Sequence, residues 1–194
     1  MPNLYIIAGC NGAGKTTASN TILPEILQCH EFVNADNIAF GISPFNIEGA
    51  AFEAGRIMLR RLDLLLHEGV DFAFETTLAT RSYVSFIHQA KSMGYKVSLV
   101  YIWIQTPALA KQRVAARVSR GGHNIPDDVI ERRYHRGISN LLNLFIPICD
   151  YWVVADNTRN RLERIAEGEG SFGLRIINHD IWTTIKQHTH GSKA

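Results

Sequence analysis

The sequence predicts one α/β domain over residues 1–194, with a parallel sheet of about five strands and helices on both faces. Short apolar runs of β-forming residues alternate with longer segments in which apolar residues recur at helical spacing. The hydrophobic fraction of 46% and the charged fraction of 20% are typical of a globular chain that buries a core. No repeat, low-complexity tract or long linker divides the chain.

Five short apolar runs are typical of strands that are buried on both faces of a parallel sheet. These runs lie at residues 4–8, 31–35, 72–74, 96–104 and 151–155. Two further short strands are expected at residues 162–166 and 174–177. Because strand and helix alternate, the connections are expected to be helical crossovers.

Capping residues mark where the intervening helices begin and end. Asn46 is a suitable N-cap and Gly69 a suitable end for a long helix, and Thr106 followed by Pro107 is typical of another helix start. The helices are expected at residues 15–23, 46–69, 82–93, 106–119 and 126–145. The tail after Gln187 is expected to be disordered.

Composition argues against several partners. A net charge of +2 is too small to indicate a nucleic-acid partner. No apolar run approaches the roughly 18 residues that span a bilayer, and no signal-peptide pattern is visible, so we expect a cytoplasmic protein without a membrane partner. Cys10, Cys29 and Cys149 lack metal-ligand spacing, so reduced thiols are expected, with Cys10 as a small filler residue.

Residues 9–16, Gly-Cys-Asn-Gly-Ala-Gly-Lys-Thr, match the phosphate-loop (Walker A) pattern G-x-x-x-x-G-K-[ST] at every fixed position. Glycines let the backbone approach phosphates, and the N–H groups at the start of the next helix bind anions. In this motif the lysine, Lys15, contacts the β- and γ-phosphates, and the hydroxyl of Thr16 binds Mg²⁺. The sequence therefore predicts a P-loop NTPase fold that binds ATP and Mg²⁺. The expected ATP-binding residues are Gly9, Asn11, Gly12, Ala13, Gly14, Lys15, Thr16, Thr17 and Asn157.

Asn157 follows the fifth predicted strand, where it would either border the adenine or form a turn with Asp156. Two acidic residues, Asp36 and Glu75, follow strands that are expected to flank the first strand. Ligands of open α/β sheets bind at this edge, and phosphoryl transfer needs a general base and an acidic group near the metal. We assign Asp36 as the general base, with a helix cap or turn residue as the alternative. We assign Glu75 to the metal, with an exposed strand end as the alternative.

Six arginines lie between residues 113 and 136, on two predicted helices that Gly121 and Gly122 separate. A helical hairpin with a glycine joint predicts a lid at about residues 106–145, whose arginines stabilise the charge of the transferred phosphoryl group. Arg120 and either Arg117 or Arg133 are the functional candidates, and Arg132 and Arg136 are expected on a solvated helix face. His123, beside the glycines, either contacts substrate or is passive.

Together, these segments resemble the zeta-toxin family of P-loop kinases over roughly residues 4–157. The resemblance rests on residues 9–17, 34–36, 74–78 and 117–140, including the stretch Gly-Gly-His-Asn-Ile-Pro at residues 121–126. It implies a kinase that phosphorylates the nucleotide sugar UDP-N-acetylglucosamine. In the toxin members of the family, an antitoxin protein keeps the kinase inactive.

The resemblance also implies individual roles. Asp36 matches the general base, and Lys15, Arg117 and Arg120 match the phosphate clamp. Glu75 and Thr77 match the substrate site, to which we add Arg133. The family's arginine two residues after the threonine of its E-x-T-L motif is replaced here by Ala79, and Arg81 is the candidate substitute.

Two other functions remain open. One is a kinase of a different alcohol, such as a nucleoside, a polynucleotide end or an antibiotic; the other is a nucleotide-gated binding module or an ATPase. A polynucleotide would need a basic groove, for which only Arg56, Arg60 and Arg61 are candidates. The chain has no apolar run ending in Asp-Glu, which favours a small-molecule kinase over an ATP-driven motor.

Overall fold

A computed structural model describes residues 1–170 and 172–188, which form a seven-stranded sheet in the order β2-β3-β1-β4-β5-β6-β7 with helices around it. The strands are β1 (Asn3–Ala8), β2 (Glu31–Val33), β3 (Phe72–Thr76), β4 (Lys96–Trp103), β5 (Tyr151–Asp156), β6 (Glu163–Glu169) and β7 (Phe172–Ile176). The helices are α1 (Lys15–Thr21), α2 (Ala35–Ile42), α3 (Ile47–Glu68), α4 (Tyr83–Ser92), α5 (Pro107–Val118), α6 (Asp127–Asn140) and α7 (His179–Gln187).

The five predicted parallel strands are confirmed. Strand β1 lies in the middle of them, parallel to β3 on one side and to β4 on the other. Strands β2 and β5 extend the parallel sheet at its two sides. The chain therefore adds β2 and β3 on one side of β1 and then adds β4 and β5 on the other side. The loop that follows β1 lies at this change of direction, which is where open α/β sheets bind ligands.

The two further predicted strands form an antiparallel hairpin beyond β5. Helix α7, which the sequence analysis did not predict, packs beside this hairpin and stacks Trp182 on Trp152 with ring centroids 5.8 Å apart. Asn178 caps this helix by accepting a hydrogen bond from the N–H of Ile181. Of the predicted disordered tail after Gln187, residues 189–194 lie outside the described residues.

Helix α2 is a second feature that the sequence analysis missed. The predicted strand at residues 31–35 ends at Val33, because the side chain of Asn34 accepts hydrogen bonds from the N–H groups of Asp36 and Asn37, at 2.8 and 3.2 Å. This N-cap starts α2 immediately after the strand. Asp36 therefore lies in the first turn of a helix rather than at the end of a strand.

Two predicted helices change geometry towards their ends. Helix α1 continues beyond Thr21 as a π-helical turn, Ile22–Ile26, that contains Pro24. Helix α6 continues in the same way as Leu141–Phe145, so the predicted helix at residues 126–145 contains two geometries. Within residues 1–170 and 172–188, no helix combines the length and the hydropathy that a membrane span requires.

Helix α6 is built into the core. The hydroxyl of Tyr134 donates to the carbonyl oxygens of Ile104 and Gln105, each at 2.9 Å, and Asn140 donates to the carbonyl oxygen of Leu78 at 2.6 Å. A movement of the whole predicted lid, residues 106–145, would break these buried contacts. The connection between α5 and α6, residues 119–126, can move without doing so, and we refer to it below as the α5–α6 connection.

Gly137 lets α6 approach the segment after β3. A Cβ at this position would lie 2.6 Å from the carbonyl oxygen of Thr77 and 3.2 Å from the hydroxyl of Tyr101. We expect Gly137→Ala to lower the free energy of unfolding by about 1–3 kcal/mol, since the core must shift to accept the methyl group. Urea denaturation measures this loss.

The matched control is Gly41→Ala in α2, where a Cβ would meet no atom within 4 Å. This variant is expected to keep the wild-type stability or to gain up to about 1 kcal/mol, because alanine favours helix. Equal stability of the two variants would contradict the close packing of α6.

Candidate active site

The phosphate loop has the backbone that the motif predicts. Gly9, Gly12 and Gly14 have φ values of 143°, 77° and 92°, which disfavour residues with a side chain. A Cβ at Gly9 would lie 2.2 Å from the carbonyl oxygen of Ile102, and one at Gly12 would lie 2.7 Å from that of Ala110. The loop is therefore fixed by both conformation and space, and it leads directly into the N-terminus of α1.

A buried ion pair lies beneath this loop. The side chains of Lys15 and Glu75 are 7% and 9% exposed, and Lys15 Nζ lies 3.5 Å from Glu75 Oε1. Lys15 also donates to the carbonyl oxygen of Cys10 at 3.0 Å. Because an unpaired charge is costly at such depth, the carboxylate stabilises the ammonium group at the loop.

The other carboxylate oxygen of Glu75 organises two neighbours. Thr16 Oγ1 and Asn34 Nδ2 each donate to Glu75 Oε2 at 2.8 Å. Asn34 thus caps α2 and orients Glu75 with the same side chain. The sequence analysis quoted Asn34 in the family resemblance but gave it no role, since its two partners lie far apart in the chain.

The hydroxyl of Thr16 and the carboxylate of Glu75 suit Mg²⁺, which prefers oxygen ligands. In the described part of the chain, no group of three or more His, Cys, Asp or Glu residues could hold a metal by itself. This agrees with the usual binding of Mg²⁺ by one or two protein ligands together with substrate phosphates and water. The residues present therefore fit this ion in the presence of a nucleotide.

A cleft of about 440 Å³ opens beside the ion pair. Lys15 and Glu75 line it together with four further predicted residues, Asn11, Asp36, Thr77 and Arg133. The carboxylate of Asp36 is 51% exposed, which leaves it open to a ligand in the cleft. The far wall belongs to α3 and α4 and includes Phe52, Gly55, Arg56, Leu59 and Tyr83.

Arg133 links the cleft to the phosphate loop. Its Nη1 atom donates to Oδ1 of Asn11, a buried side chain, at 3.2 Å. Burial lowers the pKa of the Arg133 guanidinium, and the nearby charge of Asp36 acts in the opposite direction. Arginine stays charged at neutral pH in proteins, so Arg133 brings a fixed positive charge between the loop and Asp36.

A second cleft, of about 500 Å³, lies on the opposite side of the loop and is lined by Gly12, Gly14, Thr17, Arg113 and Asn157. Asn157 Nδ2 donates to the carbonyl oxygen of Ala13 at 2.8 Å. A Cβ at Gly14 would lie 2.5 Å from that nitrogen. The predicted ATP-binding residue Asn157 therefore contacts the phosphate loop directly.

Arg113 is a residue of this second cleft that the sequence analysis did not single out. Its Nη2 atom donates to the carbonyl oxygens of Asn157 and Thr158, at 2.8 and 3.1 Å. Arg113 thereby fixes the segment after β5 against the phosphate loop. No signal in the sequence separated it from the other five arginines of the hairpin.

Three of the predicted catalytic and substrate residues lie outside the first cleft. Arg120 and Arg81 are exposed, although Thr80 and Ser82, the neighbours of Arg81, do line the cleft. Arg117 contacts the α5–α6 connection that follows its own helix, where its Nη2 atom donates to the carbonyl oxygen of His123 at 3.2 Å. The roles of these three arginines in binding phosphate or substrate stay predictions.

The fold and the phosphate loop, with the carboxylate beside it, define the chain as a P-loop kinase. The zeta toxin family model matches residues 46–159, which is more than half of the chain. The chain belongs to the zeta toxin family, as the resemblance implied. A protein of Haemophilus influenzae, described as uncharacterized, is 33% identical over 128 residues, covering 65% of this chain and 88% of the relative.

Solved structures share the fold. The AvrRxo1-ORF1 complex with AvrRxo1-ORF2 and ATP superposes with a TM-score of 0.77 at 18% identity and covers 100% of this chain and 66% of the other, so this chain spans about two thirds of that length. A structure of the PezAT toxin–antitoxin system of Streptococcus pneumoniae gives a TM-score of 0.71 at 18% identity, covering 100% of this chain and 80% of the other. At these identities the likeness shows the fold alone.

The cysteine of the phosphate loop is inert in this structure. Cys10 is 2% exposed, and burial raises the pKa of its thiol to about 11. Burial also raises the pKa of Cys29 to about 11 and that of Cys149 to about 12. A thiol reacts as its thiolate, so these groups lack both access and ionisation at neutral pH.

We therefore expect the native protein to show no rapidly reacting thiol with Ellman's reagent at pH 7.5 and to show three after denaturation, the number of cysteines in the chain. A fast-labelled thiol that maps to Cys10 by mass spectrometry would contradict the filler role and make the loop redox-sensitive. Serine at this position is the control, since Cys10→Ser removes the thiol at nearly constant volume.

Proposed function

We propose that this protein transfers the γ-phosphoryl group of ATP to a hydroxyl group of a small molecule. The observation that carries the proposal is the first cleft, in which the open carboxylate of Asp36 lies beside Lys15 and Glu75 of the phosphate site. A general base must reach the acceptor hydroxyl while the phosphate site holds the donor, and one cleft offers both.

In this proposal the acceptor hydroxyl lies between Asp36 and the γ-phosphate. Its O–H bond breaks and its oxygen bonds to the γ-phosphorus, while the bond from that phosphorus to the β–γ bridging oxygen breaks and ADP leaves. Asp36 takes the proton. Lys15, the N–H groups of the loop and Arg133 stabilise the charge on the phosphoryl oxygens.

Thr16 and Glu75 would hold Mg²⁺ next to the phosphates. The ion, when bound, neutralises phosphate charge and orients the triphosphate. The adenine would occupy the second cleft beside Asn157 and Arg113, on the far side of the loop from the acceptor. Arg120 would contribute only when the α5–α6 connection brings it towards the phosphates.

We propose a nucleotide sugar of the UDP-N-acetylglucosamine type as the acceptor, on the family resemblance. The far wall of the cleft supports an acceptor with a ring and an anionic group, since it presents the aromatic rings of Phe52 and Tyr83 beside Arg56. A polynucleotide is less suited, because Arg61 is paired with Glu31 at 2.6 Å and of the three candidate arginines only Arg56 lines the cleft.

The partner and the location are part of the same proposal. The structural neighbours include a toxin–antitoxin system and a two-protein complex, so an antitoxin is a reasonable partner for this chain. A cytoplasmic location, where ATP is available, stays a prediction.

The decisive variant is Asp36→Asn. We expect it to lower kcat by about 100-fold or more, because the amide cannot accept the proton, while ATP affinity stays within about twofold. The assay incubates the protein with Mg-ATP and a panel of UDP-sugars, nucleosides and aminoglycosides, and mass spectrometry identifies the compound that gains a phosphoryl group.

Asp63→Asn is the matched control, since Asp63 is an exposed carboxylate of α3 that pairs with His67 of the same helix. Its turnover should equal that of the wild type. Tight ATP binding with no acceptor in any panel would favour a nucleotide-gated binding module, and full turnover of Asp36→Asn would remove Asp36 as the base.

A further inference from the structure

The α5–α6 connection carries a histidine to the proposed general base. The side chain of His123 is 17% exposed, and its Nε2 atom lies 3.9 Å from Oδ2 of Asp36. These two residues belong to different elements, the connection after α5 and the first turn of α2. His123 lines the cleft between the connection and residues 44–48, and Asp36 lines the first cleft, so the pair lies where the two clefts approach each other.

Arg117 holds His123 in this place. Its Nη2 atom donates to the carbonyl oxygen of His123, and its own carbonyl oxygen accepts from the N–H of Gly122 at 3.0 Å. A Cβ at Gly122 would lie 2.6 Å from Cγ of Arg117. The connection is thus folded closely around the arginine, which holds the backbone of His123 near Asp36.

Arg117 is therefore committed to the connection in this structure. Its Nε atom is buried and, within residues 1–170 and 172–188, has no hydrogen-bond partner. The sequence analysis expected this residue in the phosphate clamp. In this structure Arg117 bonds the backbone of His123, and its role in the phosphate clamp stays a prediction. Arg133 contacts the loop through Asn11 and lies near the charge of Asp36.

We propose that His123 is a positioning residue for Asp36, an inference that rests on the proposed function. Among the described residues, no side chain donates a hydrogen bond to the carboxylate of Asp36, which leaves this group free to rotate. An N–H···O hydrogen bond measures about 2.7–3.2 Å, so a shift of about 1 Å brings Nε2 into direct contact. Donation to Oδ2 leaves Oδ1 for the acceptor proton.

The connection has room for this shift. It borders a cleft of about 290 Å³ whose opposite wall is formed by residues 44–48, the segment before α3 and its first turn. The charged groups near the pair include Arg117, which bonds the backbone of His123, and Arg133, whose charge interacts with Asp36. Glu48 lines the same cleft as His123. A closed connection would hold the carboxylate of Asp36 in one orientation between His123 and Arg133. This lowers the entropic cost of orienting the base in the transition state.

The kinetic test compares His123→Ala with His123→Gln, using Mg-ATP and UDP-N-acetylglucosamine as the probes. We expect His123→Ala to lower kcat by about 10- to 100-fold, with the KM for ATP within about twofold, because a base that is not held loses productive orientations. His123→Gln should recover most of kcat, since its amide nitrogen can donate from nearly the same position as Nε2.

The matched control is His88→Ala, an exposed histidine of α4, which should keep wild-type kinetics. Equal loss in His123→Ala and His123→Gln would overturn the donor role. A raised KM with unchanged kcat would show that His123 binds substrate and does not position the base.

A spectroscopic test needs no turnover. In long-range ¹H–¹⁵N spectra of the wild type, His123 should carry a proton on Nε2, and Asp36→Asn should shift its ring nitrogens while Asp63→Asn does not. Unaltered ring signals in Asp36→Asn would overturn the inference. If these shifts occur but no compound is phosphorylated, the pairing stands and the proposed function fails.

Discussion

The buried ion pair between Lys15 and Glu75 is the interaction on which the site depends. With both side chains less than a tenth exposed, neither charge is stable at this depth without the other. The pair joins the loop after β1 to the end of β3, and Asn34 joins the same carboxylate to the end of β2. Ile7 lies opposite Glu75 in the register of β1 and β3, so the sheet places this carboxylate beside the end of β1, from which the loop leads to Lys15.

The phosphate loop divides the surface above the sheet into two clefts with different chemistry. One contains Asn157 and Arg113, and the other contains Asp36 and Arg133. In the proposed function the first of these takes the nucleotide base and the second takes the acceptor. The loop lies between them, so a phosphoryl group held there faces both. The buried contacts of α6 keep this arrangement in place, and the α5–α6 connection lies outside those contacts.

The sequence was most informative where a requirement is local. The spacing of Gly9, Gly12, Gly14 and Lys15 predicts the loop, because the glycines adopt the backbone conformation of the loop and the lysine binds phosphate. Helix α2 was missed because its start depends on one side chain, Asn34, ending a strand. Arg113 is placed by its contact with a segment more than 40 residues away, after β5. Arg117 is placed by the fold of the glycine turn that follows α5. No pattern within the helix reveals either contact.

Calorimetric titration of ATP into the wild type and Lys15→Ala tests the central claim most directly. The account predicts measurable ATP binding by the wild type and a loss of at least about 100-fold in Lys15→Ala, since the triphosphate loses its buried counter-charge. Lys96→Ala, which changes an exposed lysine at the start of β4, should bind like the wild type. Undiminished ATP affinity in a folded Lys15→Ala protein would contradict the account.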